Sequence, residues 1–64
     1  MTKTPRVSVI IPVRNEELRI KQCIEGILSQ SIEVHEIIVI DSGSTDETLP
    51  ILTTFPEVTL IQID

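Results

Sequence analysis

The sequence is nearly devoid of aromatic residues: it has no Trp, no Tyr and a single Phe, Phe55. Any core must therefore be aliphatic, built mainly from Ile and Val. It has one cysteine, Cys23, so no internal disulfide can form, and no Cys/His cluster has the spacing of a zinc site. A single unpaired thiol suits a reducing, cytoplasmic compartment. Positive charge is scarce. Lys and Arg number 5 against 10 Asp and Glu, a net charge of −5, and Lys3, Arg6, Arg14, Arg19 and Lys21 form no basic stripe. This argues against nucleic acid or an anionic membrane surface as a partner. No apolar run approaches the roughly 18 residues that span a bilayer. The segment from Met1 to Arg6 carries no apolar leader core. A soluble chain is expected, with any membrane association supplied by residues outside it. A length of 64 residues allows one compact unit, and a unit of that size buries only about 60% of the surface its unfolded chain exposes.

What the sequence does contain is an alternation of strand and helix patterns. Val7 to Ile11 is a β-branched run between Pro5 and Pro12, and Pro12, which has no N–H to donate to a ladder, is expected to end the strand. Asn15 is placed as a helix N-cap, with Glu16 and Glu17 in the first turn where the helix dipole favours negative charge. Ile20, Cys23, Ile24, Ile27 and Leu28 follow at helical spacing, and the helix is expected to end near Ser29 or Gln30. Cys23, on that stripe, reads as a small core residue. Ile37 to Ile40 is continuously apolar, the pattern of a strand buried on both faces of a parallel sheet.

Ser44 and Glu47 have capping-box spacing, but a helix capped at Ser44 would hold Pro50 in its interior. Asp46 is therefore the preferred cap. Thr48, Leu49, Leu52 and Phe55 form the inner face of a second helix ended by Pro56, and Val58 to Ile63 is a third strand. The result is an α/β chain, β-α-β-α-β, with a three-stranded parallel sheet in the order 3-2-1 and right-handed crossovers.

In such a sheet, ligands bind beyond the carboxyl ends of the strands. Two polar stretches fall there: Pro12-Val13-Arg14-Asn15-Glu16 after strand 1, and Asp41 to Asp46 after strand 2. Asp41 offers two acceptor oxygens, suited to the N–H of a base or the hydroxyls of a ribose. Gly43 permits a sharp turn and a close backbone approach. The alternative is that Asp, Ser, Gly and Thr serve only as turn and cap formers. Arg14 has the chemistry to pair with a phosphate. His35 reads as an exposed residue at a strand start. Ser42 and Ser44 have no histidine base placed by the pattern, and no glycine-rich phosphate loop occurs.

Taken together, Val7-Ser8-Val9-Ile10-Ile11-Pro12, then Asn15-Glu16, then Glu36 to Asp46 (EIIVIDSGSTD) resemble the start of glycosyltransferase family 2, whose pattern is VSVIIPxxNE … EIIVVDDGSTDxT. The stretch Ile27-Leu28-Ser29-Gln30-Ser31 resembles the family's ILxQT. The blocks occur in the family's order over residues 6 to 63. The resemblance implies a partial GT-A, Rossmann-like domain, with residues 1–64 as the N-terminal part of a nucleotide-sugar-binding domain. It implies that Pro12, Val13, Asn15 and Glu16 line the base and ribose, and that Asp41, Ser42 and Gly43 form the second nucleotide-binding element. The donor implied is a nucleotide-diphosphate sugar of UDP or dTDP type. The chain departs from the pattern at Ser42, where many members have a second Asp, and this leaves the base open.

The family's D-x-D motif, which holds Mn²⁺ or Mg²⁺, and its catalytic base lie on later elements. No catalytic or metal-binding residue is therefore assigned here, no cofactor is expected within this chain, and these residues alone are expected not to transfer sugar. Strand 1, lacking its next neighbour, would be an open edge through which chains associate. Two other classes remain: a receiver- or flavodoxin-like regulatory module, and an association module without a ligand.

Overall fold

The computed structural model describes residues 7–30 and 34–63. Pro5, placed above at a strand boundary, and Ser31, in the stretch compared with the family's ILxQT, lie outside them. The elements are β1 (Val7–Val13), α1 (Ile20–Leu28), β2 (Val34–Asp41), α2 (Thr48–Leu52) and β3 (Val58–Gln62). All pairings are parallel and the sheet order is β1-β2-β3, as the alternation predicts. Val9 faces Ile37, Ile11 faces Val39, and Val13 faces Asp41. On the other side, Val58 and Leu60 face Ile37 and Val39.

β1 runs two residues further than expected, through Pro12 to Val13. The carbonyl of Val13 points towards β2, because it accepts the Ser42 N–H at 3.1 Å. Backbone groups alternate in direction along a strand, so the ring nitrogen of Pro12 falls on the open side of this edge strand. No ladder bond is lost there, and proline is tolerated.

The core is aliphatic. Val13, Ile20, Ile24, Ile37, Val39 and Leu52 are buried, with Ile11, Ile27, Ile51, Phe55, Val58 and Leu60 packed around them. Both helices contribute to this one cluster, so both cover the same sheet face. Two right-handed crossovers moving in one direction across a sheet require that arrangement. Among the described residues β2 is therefore covered on one face, not on both as its apolar run suggests: Ile37 and Val39 are buried, while Ile38 and Ile40 are half-buried. Register puts Ile10, Pro12, Ile38, Ile40 and Ile61 together on the uncovered face.

Three local expectations change. Asn15 does not cap α1, which starts at Ile20 after a turn in which the Glu16 carbonyl accepts the N–H groups of Arg19 and Ile20. Asn15 has a left-handed φ of 52°, a conformation Asn tolerates better than most residues, and its side chain is engaged elsewhere. Cys23 is exposed rather than in the core, since Ile20 and Ile24 define the buried line of the helix. α2 ends at Leu52, before Pro56, where the Thr53 and Thr54 hydroxyls donate to the carbonyls of Pro50 and Ile51 at 2.7 and 2.6 Å. Pro50 lies in the first turn of α2, where a missing N–H costs little.

Ile24 and Gly26 on α1 are expected to respond in opposite directions. Ile24→Ala empties a fully buried position and should cost about 2–5 kcal/mol. Gly26 is exposed in the helix interior with open space around its Cβ position, so Gly26→Ala should add about 0.5–1 kcal/mol. Urea unfolding midpoints read both, and shifts of the same sign would contradict the assigned helix face.

Candidate nucleotide-facing loops

The loops after β1 and β2 lie side by side because their strands are neighbours and end together, Val13 opposite Asp41. The β2 loop organises itself around the Asp41 carboxylate. At 1% exposure this group is cut off from water, and a buried carboxylate must find its hydrogen bonds within the protein. Its Oδ2 accepts the N–H groups of Gly43 at 3.1 Å and Ser44 at 3.0 Å, and its Oδ1 accepts the Ser44 hydroxyl. Gly43 closes this turn at φ 89°, a conformation that favours glycine. Burial pushes the Asp41 carboxyl up, but the Ser44 hydroxyl and the two N–H groups outweigh it and hold the carboxyl below its ordinary value.

Asp46 has a second set of partners. Its Oδ1 accepts the N–H and the hydroxyl of Thr48 at 2.9 and 2.5 Å, and its Oδ2 accepts the Glu17 N–H at 3.3 Å. Partial burial raises this carboxyl, while the Thr48 hydroxyl, the Thr48 N–H and the Glu17 N–H bring it below its ordinary value. Asp46 is not the helix cap expected of it: the N-cap of α2 is Glu47, which makes no side-chain cap bond, and Asp46 stands one residue earlier, holding the Thr48 N–H two residues on as in an Asx turn. Ser44 makes no capping box, because its hydroxyl is used by Asp41 and by the β1 loop.

The β1 loop is fixed almost wholly by the β2 loop. The Asn15 N–H donates to Ser44 Oγ at 2.9 Å, and Asn15 Oδ1 accepts the Thr45 N–H at 2.8 Å. The Glu16 N–H donates to Thr48 Oγ1 at 2.8 Å. Ser42 bonds the Val13 carbonyl through its N–H at 3.1 Å and, more weakly, through its hydroxyl at 3.4 Å.

The sequence-predicted residues are thus brought together, but they are not equally accessible. Pro12, Asn15 and Gly43 are exposed, Glu16 and Ser42 are half-buried, and Val13 and Asp41 are buried. Arg14 is exposed beside them, and His35 lies at the opposite end of β2. A hollow of about 290 Å³ along the β1 edge is lined by Pro12, Val13, Glu16, Arg19, Ile20 and Cys23, together with Ile11. A second, of about 270 Å³, is lined by Asn15, Glu16, Leu18 and Arg19. Neither is lined by Ser42 or Gly43. Sequence reasoning missed Thr48, Ser44 and Thr45 as the connectors of the two loops. The available signal was a hydroxyl at a core-facing helix position, where an apolar residue is the norm.

A divalent ion of the kind expected for a complete enzyme does not fit these residues. Among the described residues no three His, Cys, Asp or Glu side chains gather to hold one, and the oxygens of Asp41 and Asp46 already accept main-chain N–H groups and hydroxyls of the two loops.

The family model described as "Glycosyl transferase family 2" matches residues 8–64. The chain is similar to glycosyltransferase AglE of Haloferax volcanii, with 45% identity over 58 residues that cover 86% of this chain and 19% of that protein. It is 42% identical to chondroitin synthase of Escherichia coli over 52 residues, 81% of this chain and 8% of that protein. It is 38% identical to poly(ribitol-phosphate) beta-glucosyltransferase of Bacillus spizizenii over 52 residues, 78% of this chain and 8% of that protein. The chain therefore spans under a fifth of the length of these curated relatives.

The two depressed carboxyls predict acid sensitivity. The folded state favours their charged forms, so the stability they contribute is complete well above the ordinary value of 3.8. It is lost as pH falls through that value and below it. Thermal melts from neutral pH down to about pH 3 should show this loss. Asp41→Asn should start less stable and lose less on acidification; an unchanged acid slope would contradict the assignment.

Proposed function

This chain belongs to glycosyltransferase family 2, and on that premise we propose that its two joined loops form the nucleotide side of a sugar-nucleotide site. The observation that carries the reading is the junction itself: in an open parallel sheet the crevice beyond the strand ends receives the ligand, and here two polar loops meet at that place. Pro12, Val13, Asn15 and Glu16 supply one wall, and Ser42 and Gly43 supply the other. Asp41 shapes the second wall from beneath, since its oxygens are already committed to Gly43 and Ser44.

The proposed donor is a nucleotide-diphosphate sugar of UDP or dTDP type, bound by a complete GT-A enzyme that transfers the sugar to an acceptor hydroxyl in the cytoplasm. A leaving diphosphate needs its charge neutralised and the acceptor needs a base. On this reading the chain's own residues bind and orient the donor, and the metal and the base belong to later elements of the complete enzyme. The Mn²⁺ or Mg²⁺ would be held by residues beyond this chain. No helix among the described residues is long and apolar enough to cross a bilayer. A regulatory receiver-like role has little support, because the Asp41 carboxylate is turned into its own loop. The open edge of β1 favours association of chains by sheet extension, blunted where Pro12 lacks a donor. Light scattering that stays monomeric over a wide concentration range would remove that last proposal.

Titration of the full-length protein with UDP, dTDP and GDP, with and without Mn²⁺, tests the main reading. Binding of at least one is expected, and binding of none would overturn it. Ser42→Asp restores the acid pair common in the family. A charged acceptor to a base N–H contributes about 1.5–3 kcal/mol, so this variant should shift the UDP-to-GDP affinity ratio by about tenfold or more. An unmoved ratio would take Ser42 out of the base contact.

A further inference from the structure

The β1 loop is held by two hydrogen-bond relays of the same form. In the first, Asp41 Oδ1 accepts the Ser44 hydroxyl, and Ser44 Oγ accepts the Asn15 N–H at 2.9 Å. In the second, Asp46 Oδ1 accepts the Thr48 hydroxyl at 2.5 Å, and Thr48 Oγ1 accepts the Glu16 N–H at 2.8 Å. A hydroxyl has one proton and two lone pairs. When a carboxylate takes the proton, the oxygen can only accept from its other neighbour, and its direction is fixed. Each acid thereby converts a freely rotating hydroxyl into an oriented acceptor for one main-chain amide of the β1 loop.

The two amides are consecutive, so the relays clamp the peptide units on both sides of Asn15. The clamp holds a strained place in the chain, Asn15 at φ 52°. Thr48 is fully buried at 0% exposure, which keeps water from substituting for its hydroxyl.

We propose that Asp41 and Asp46 act on nucleotide binding at one remove, and that Ser44 and Thr48 are positioning residues that set the β1-loop wall of the site. This rests on the nucleotide reading of the loops and deepens it. It separates residues that touch the ligand from residues that place them. Thr48 touches no ligand in this scheme; its effect passes through the Glu16 amide. Stability of both relays needs charged carboxylates, and the hydroxyl and N–H partners that hold both carboxyls low serve that end.

The test uses the full-length protein and three variants: Thr48→Val, which keeps the shape and removes the hydroxyl, Thr48→Ser, which keeps the hydroxyl, and Ser44→Ala. Hydrogen exchange of the segment spanning Asn15 and Glu16 is followed by mass spectrometry. Affinity is measured by calorimetry with whichever of UDP, dTDP and GDP binds the wild type most tightly. Loss of one buried hydrogen bond should weaken affinity by about tenfold in Thr48→Val and speed exchange of that segment by a similar factor. Thr48→Ser should stay within about threefold of wild type in both readouts. If Thr48→Val fails to fold, Ser44→Ala, at a half-buried loop position, carries the same expectation for the other relay. A folded Thr48→Val or Ser44→Ala protein with wild-type affinity and exchange would overturn the inference while leaving the nucleotide reading intact. Equal losses in Thr48→Ser and Thr48→Val would also overturn it, since packing would then explain the effect. A wild type that binds none of the nucleotides would overturn the nucleotide reading and this inference with it.

Discussion

The carboxylate of Asp41 sits at the end of the central strand with 1% of its surface exposed, and much of the local architecture follows from the need to satisfy it. A buried acid without partners would be costly, so the chain turns immediately after β2 and brings two N–H groups and a hydroxyl onto the two oxygens. That turn uses the positive φ of Gly43 and presents Ser44 to the neighbouring loop. Through Ser44, and through the parallel pair of Asp46 and Thr48, the β1 loop acquires a fixed course that its own residues do not supply. The strand pairing of Val13 with Asp41 sets the distance over which all these bonds can form.

The fold class was legible because its signals are strong and local. The β-branched runs at Val7, Ile37 and Val58, the helical stripe from Ile20 to Leu28 and the short connections leave few topologies open. Details failed where a residue's role depends on which neighbour it meets. Pro12 stays in its strand because it lies at a sheet edge, a property of topology rather than of sequence. Asn15 looks like a cap, yet spends its side chain on Thr45 across the loop junction. Cys23 follows the apolar spacing but points off the buried line. The apolar run of β2 suggested cover on both faces, whereas two crossovers in one direction leave Ile38 and Ile40 half-buried.

The site was legible as two loops and not as a mechanism of support. Composition and position placed Pro12, Asn15, Glu16, Ser42 and Gly43 near the strand ends, and the structure brings those loops into contact. The sequence carried no visible sign that Asp41 would face inward, and for Thr48 the one sign was a hydroxyl at a core-facing helix position. Hydroxyl relays of this kind join residues about thirty positions apart, so no local pattern shows which loop amide each hydroxyl will meet. Membership of glycosyltransferase family 2 supplies the chemical setting; the relays explain how so short a chain, with an aliphatic core on one face only, holds a polar loop junction in one geometry.

The most direct test of the central claim is a map of amide chemical-shift changes on adding the tightest-binding nucleotide, combined with titration of the Asp41 carboxyl resonance. The account predicts changes concentrated at Val13 to Glu16 and at Ser42 and Gly43. It also predicts an Asp41 carboxyl that stays below its ordinary value with and without nucleotide. Changes centred on the opposite end of the sheet, around His35 and Glu57, or an Asp41 carboxyl that titrates like an exposed acid, would contradict it.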